Sequence, residues 1–136
     1  MKRRKIDGFT LVELMLVVII IGSLVAMVLP RFTGRSEQAR KQVAAADINS
    51  NISVALKLYE MDNGSFPSSS EGLEALLKKP ASGAASWSGP YLEKSPVDPW
   101  GQAYKYVYPG THKDYDLYSL GKDGVASADD ITNWEE

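Results

Sequence analysis

Cysteine is absent from the 136 residues, so neither a disulfide nor a thiolate metal site is open to this chain. Histidine occurs once, as His112, beside Lys113 and Asp114 in a turn-like stretch that suits a solvated turn residue. There is no glycine-rich phosphate loop and no nucleophile elbow. These gaps leave little for catalysis. Asp114 and Asp116 are the pair an acid–base scheme would call on, and flanking a strand edge is their more ordinary role. A basic face is also missing. Residues 1–8 hold Lys2, Arg3, Arg4 and Lys5 against Asp7, net +3, while the rest of the chain has eleven basic and sixteen acidic residues, net −5. An acidic body of this kind argues against a nucleic-acid partner.

What is present is a long apolar run. Phe9–Leu29 reads FTLVELMLVVIIIGSLVAMVL, 21 residues with Glu13 as the one charge. About 20 apolar residues span a bilayer core as a helix. The basic residues before it hold the N-terminus in the cytoplasm and send the body across, a single-pass topology. An ordinary cleaved signal peptide explains the basic start and the apolar run. It leaves three features unexplained: the length of the run, its ending in Met27-Val28-Leu29-Pro30 with no A-x-A site, and Glu13 inside it. A plain membrane anchor leaves Glu13 unexplained too.

A carboxylate in a membrane helix costs up to a few kcal/mol, about 3 at the centre and less near the interface, and it calls for a partner. No Lys or Arg lies between Lys5 and Arg31. A cut after Gly8 would give Phe9 a cationic amino group four residues from Glu13, about one helical turn away. The carboxylate can then meet its own amine or that of a neighbouring subunit, and the second option favours assembly. Gly8 suits a cut site because it lacks a Cβ.

Gly8-Phe9-Thr10-Leu11-Val12-Glu13, after a short basic leader and before an apolar stretch, resembles the class III signal of type IV pilins and type II secretion pseudopilins. The resemblance implies cleavage between Gly8 and Phe9 by prepilin peptidase and N-methylation of Phe9 by the same enzyme. It also implies that Glu13 is needed for assembly, where it meets the amine of an adjacent subunit.

Pro30 removes a helix donor, and Gly22 and Ser23 weaken the segment before it. A helix end at Leu29 is one reading. Against it, Ala45, Ile48, Ile52, Ala55, Leu56 and Tyr59 recur at steps of three and four, with Arg40, Lys41, Asp47, Ser50, Asn51 and Lys57 on other faces. Asn63-Gly64 is a stop signal. The expected rod from Phe9 to Asn63 has 55 residues, roughly 80 Å, with a weak point between Gly22 and Pro30 that opens in the assembled fibre. Beyond it, Ser68–Ser70 followed by Glu71–Lys79 predicts a short serine-capped helix closed by Pro80. Residues 81–90 read as a loop. Tyr104–Tyr108 and Tyr115–Ser119 read as strands around a Pro109-Gly110 turn. The fold class is α+β: a long N-terminal helix, membrane half plus amphipathic half, packed on a small antiparallel sheet in a pilin-like arrangement.

The body narrows the resemblance. Asn63-Gly64-Ser65-Phe66-Pro67, Glu71-Gly72-Leu73-Glu74-Ala75-Leu76, Asp98-Pro99-Trp100-Gly101 and Ser119-Leu120-Gly121-Lys122-Asp123-Gly124 are similar to the major pseudopilins of type II secretion, the G-type core proteins. Ala103 departs from the proline that relatives often carry, which bears only on local turn rigidity. Type IV pilins usually end in a cysteine-closed loop, absent here.

Asp123, Asp129 and Asp130 crowd one Gly- and Ser-containing segment before Trp134. Composition alone reads as a solvated acidic loop, since the spacing is not an EF-hand. The resemblance implies one structural Ca2+, held by the side chains of Asp123, Asp129 and Asp130 and the Leu120 carbonyl, with a further carbonyl near Val125 or Ser127. It also implies a domain plan of leader 1–8, transmembrane and assembly helix 9–30, and periplasmic domain 31–136. The implied function is the major structural subunit of the type II secretion pseudopilus. Its growth as a periplasmic homopolymer drives export of folded proteins, with minor pseudopilins, an inner-membrane assembly platform and prepilin peptidase as partners, and no enzyme activity. A type IV pilin, and a membrane-anchored calcium-binding module that never polymerises, are the rival readings.

Overall fold

The computed structural model describes residues 8–134, and the side chains of 29–33 are not among those described. The leader charges Lys2, Arg3, Arg4, Lys5 and Asp7 therefore lie outside the described residues, as does the Pro30 side chain. The chain divides into two units, Met1–Glu37 and Gln38–Glu136.

Helix α1 spans Leu11–Ala46, and its backbone stays helical through position 30. That excludes a helix end at Leu29. In the first unit the described side chains from Gly8 to Val28 are all exposed. The window Leu11–Val28 is long and apolar enough to cross a membrane. Leu11, Val12, Met15, Ile19 and Met27 are more than half exposed, so this apolar surface faces every side and has no partner within its own unit.

In the second unit α1 gives way to a π-helical stretch, Asp47–Ile52, and then to α2, Ser53–Asn63. The sequence pattern predicts an uninterrupted α-helix here, and the π stretch corrects it. The buried line is Ala44, Ile48, Ile52 and Leu56, not one that begins at Ala45. In an α-helix a step of four overshoots a full turn by roughly 40°. A wider i→i+5 turn takes that drift back and keeps steps of four on one line. The local sequence makes the widening cheap. Asp, Asn and Ser compete for backbone groups: Ser53 Oγ donates to the Ile48 carbonyl at 2.6 Å, and Asn49 Nδ2 to the Ala45 carbonyl at 3.0 Å. Gly64 ends α2 in the left-handed region at φ 82°, as its position after Asn63 predicts.

The expected helix over Glu71–Lys79 is only a 3-10 turn, Gly72–Leu76. Gly72 sits at φ 60°, which blocks α-helical entry. The serine caps act one step earlier. Glu71 N–H donates to Ser68 Oγ at 3.3 Å while Ser68 N–H donates to Glu71 Oε2 at 2.8 Å, a reciprocal box.

The sheet has three antiparallel strands in the order β1 (Lys105–Val107), β2 (Asp116–Ser119), β3 (Ile131–Thr132). Tyr106 faces Leu117 across the first pair, and Ser119 faces Ile131 across the second. β3 is the strand the sequence does not announce: two residues at the end of an acidic segment. Its partner role continues through a side chain. Asn133 Oδ1 accepts from Leu117 N–H at 2.9 Å, and its Nδ2 donates to the Tyr115 carbonyl at 2.9 Å.

The core lies between the helix line and β2, with Ile48, Ile52, Leu56, Leu76 and Leu117 essentially sealed from solvent. Phe66 packs edge-on against Tyr115 at 4.9 Å and Tyr108 at 5.6 Å. Three tyrosines in and around the core have their hydroxyls paired. Tyr104 donates to Asp47 at 2.9 Å, Tyr106 to the Pro67 carbonyl at 2.7 Å and Tyr115 to Ser53 Oγ at 2.8 Å. Desolvation first, then the Asp47 carboxylate, holds the Tyr104 hydroxyl well above the ordinary phenol range, so it stays a donor.

Candidate functional site

Two places carry the residues that the sequence singles out, and each belongs to its own unit. At the start of α1, Gly8, Phe9 and Thr10 are exposed, non-helical and open to approach. Glu13 lies in the first turn. Its carboxylate Oε2 accepts from Thr10 N–H at 3.4 Å, and Glu13 N–H donates to Thr10 Oγ1 at 3.2 Å. This is a capping box, and the T-x-x-E spacing that announces it was readable in the sequence. In the uncut chain the carboxylate thus rests on a neutral backbone donor. A cation at Phe9 would be a stronger partner than a single long hydrogen bond.

The second place is the segment Leu120–Asp130. Its base is anchored by a residue the sequence reading did not place in the site, Asp98. Asp98 is buried, with Oδ1 accepting from the N–H groups of Trp100 at 3.0 Å and Gln102 at 2.8 Å, and Oδ2 from Ser119 Oγ at 2.6 Å. Ser119 Oγ in turn accepts from Gly121 N–H at 3.1 Å. Gln102 Nε2 donates to the Gly121 carbonyl at 3.3 Å. The Asp98–Gln102 turn therefore sets where the acidic loop begins.

Within the loop, Gly121 at φ 68° has Asp129 Oδ2 about 3.5 Å from where a Cβ would stand, so the carboxylate lies over it. Asp129 Oδ1 accepts from Ser127 Oγ. That bond first, with help from Lys41, holds the Asp129 carboxyl below the usual carboxylate range. Asp123 accepts from Val125 N–H at 3.1 Å, and Asp130 from Ser127 N–H at 3.2 Å. Among the described residues no group of three His, Cys, Asp or Glu side chains converges on one point. The donor chemistry nevertheless fits a hard cation: carboxylate and carbonyl oxygens only, on a Gly-containing loop fixed at its base.

His112 and Asp116 correct the sequence reading. His112 is exposed but not a loose turn residue. Its ring stacks on Trp134 at 4.2 Å with 2° between the planes, and its Nδ1 meets Asp116 Oδ2 at 2.9 Å. Asp116 is buried in β2 and also accepts from the N–H groups of Thr111, His112 and Lys113 at 2.9, 3.1 and 3.3 Å. Asp114 stays exposed and joins the turn through its backbone, its carbonyl accepting from Gly110 N–H at 2.9 Å. Asp116 thus organises the turn between β1 and β2.

Both places fall within stretches that match known families. A family model described as type II secretion system, protein G matches residues 31–134, and one described as the prokaryotic N-terminal methylation motif matches residues 3–29. The type II secretion system core protein G of Pseudomonas aeruginosa is 47% identical, covering 99% of each chain. That of Escherichia coli K12 is 44% identical over 93% of this chain and 90% of its own. The crystal structure of the major pseudopilin from the type 2 secretion system of enterohaemorrhagic E. coli superposes with a TM-score of 0.64 at 33% identity, over 74% of this chain and 87% of that one. A sequence bearing the methylation motif on an apolar helix, followed by a body that folds as that pseudopilin does, belongs to the protein G family of the type II secretion system, a family of structural subunits and not of enzymes.

Proposed function

We propose that this chain is the major subunit of a pseudopilus, matured by prepilin peptidase between Gly8 and Phe9 and methylated on Phe9. The leader is then 1–8, the membrane and assembly helix 9–30, and the periplasmic domain 31–136. Before assembly the helix sits in the inner membrane with the domain on the periplasmic side. Polymerisation, on an inner-membrane platform and with minor pseudopilins, extends a fibre that pushes folded proteins across the outer membrane. The observation that carries this reading is the exposed apolar surface of Leu11–Val28 with Glu13 held, among the described residues, by its own first turn. Such a surface needs lipid or copies of itself, and an open helical fibre of heterologous contacts supplies the second.

Calcium belongs to the same reading. Asp123, Asp129 and Asp130, with the Leu120 carbonyl, would hold the ion. Bound there, Ca2+ neutralises carboxylates that otherwise repel and stiffens a segment with little apolar burial. Asp98, Ser119 and Gln102 do the positioning, and Ser127 must release Asp129 and Asp130 for loading. The function is tested in a host strain lacking the gene. Its exported proteins should collect, folded, in the periplasm; the intact gene should restore release, and a Glu13→Leu variant should not. Restoration by Glu13→Leu would contradict the proposal.

A further inference from the structure

A groove of about 730 Å³ runs between the π stretch and the segment Tyr91–Val97. Asp47, Val54, Leu92, Glu93, Pro96 and Val97 are among its lining. Val54 and Val97 are each 56% exposed, an apolar floor without a cover. The rim carries Asp47 and Glu93 against Lys94, one net negative charge, and no ion pair among the described residues joins them. Asp47 is bonded by Asn51 Nδ2 at 2.7 Å and the Tyr104 hydroxyl at 2.9 Å, both neutral donors. Glu93 is exposed and makes no ion pair among the described residues.

The complementary charge lies elsewhere in the same sequence. Residues 31–46 hold four basic side chains and one acidic, net +3, whereas residues 47–136 hold seven basic and fourteen acidic, net −7. Arg40 is exposed on α1 and makes no ion pair among the described residues. A planar guanidinium on a long apolar stem suits a carboxylate rim over an apolar floor. Anionic lipid is the other candidate partner for Arg40. Twelve residues separate it from Val28, the end of the apolar window. At helical rise that is about 18 Å of chain, against a headgroup layer of roughly 5–7 Å on each side. A protein partner is therefore favoured.

We propose that the groove between Asp47–Val54 and Tyr91–Val97 is a contact surface that receives Arg40 from a second copy of this chain. It rests on the fibre reading above and names one of its joints. The contact is heterologous, groove to helix, so each copy offers one half to each of two neighbours and the pattern need not close.

The test uses the full chain in membranes and the absence of native cysteine. Copies carrying Arg40→Cys are co-produced with copies carrying Glu93→Cys. Oxidation should give a disulfide-linked pair that neither variant gives alone. In parallel, Arg40→Glu and Glu93→Arg should each lower the sedimentable polymer by roughly tenfold, the size of effect expected for losing a close interfacial charge pair, and the double swap should restore it. Polymer that forms normally with no Arg40–Glu93 crosslink and no rescue overturns the groove contact while leaving the fibre reading intact. A wild-type chain that never sediments overturns both. If Arg40→Glu is mimicked by replacing anionic with zwitterionic lipid, and Glu93→Arg is silent, the partner is the membrane surface and the proposal fails.

Discussion

The two units use apolar residues in opposite ways. In Gln38–Glu136 one line of apolar positions, Ala44, Ile48, Ile52 and Leu56, buries itself in the core with β2 and the 3-10 turn, while Val43, Val54, Leu58 and Met61 stay exposed. In the first unit apolar positions cover the helix all round and bury nothing. One unit carries its own core; the other is stable only in surroundings that supply one. Folding energy within the chain therefore resides in the second unit, and the first unit's apolar surface is left open to lipid or to other chains.

The contrast breaks first at matched truncations. Leu117→Ala removes a side chain sealed beneath the sheet and should lower the denaturation free energy of the domain by about 2–5 kcal/mol. Ile19→Ala, on the apolar helix, should leave that value within about 0.5 kcal/mol. Equal effects would mean that the two surfaces are not separately used. Calcium sharpens the comparison next. At about a hundredfold excess over its dissociation constant it should add about 2.7 kcal/mol to the second unit alone. Thermal unfolding with and without chelator measures this, and Asp129→Ala should abolish it.

The Asp116 carboxyl comes third. Burial pushes it up, but hydrogen bonds from the His112 ring and the N–H groups of Thr111, His112 and Lys113 outweigh that and hold it below the ordinary aspartate range. A carboxyl lowered in the folded state adds stability above its unfolded value of about 4, and this is lost as pH falls through the folded value. Asp116→Asn should cost about 1–3 kcal/mol at neutral pH, with the gap to wild type closing in acid, as read by urea titrations across pH. The smallest effect concerns the π stretch. Deleting Ser50, exposed within it, should restore α-geometry, keep Ala44 over the core and cost about 1 kcal/mol or less. Deleting Ala55, in α2, shifts every residue on one side of it by roughly 100° and should unfold the domain.

Much of this was legible in the sequence because its signals were periodic or local. The apolar run, the steps of three and four through Tyr59, the Asn63-Gly64 stop and the tyrosine-rich strands each carry their own pattern. What stayed hidden depended on partners far along the chain. Asp98 reads as an ordinary turn residue until Ser119 is found against it. β3 has two residues, too short for any alternation, and depends on Asn133 to extend its ladder. The π stretch is invisible because i+4 spacing suits an α-helix nearly as well. His112 reads as solvated because Trp134, its stacking partner, lies on another segment.

The most direct measurement is the mass of the chain recovered from membranes, with its N-terminal peptide sequenced. The account predicts a chain that begins at N-methylated Phe9, its new amine one turn from Glu13. A chain still beginning at Met1, or one beginning beyond Pro30, would contradict it.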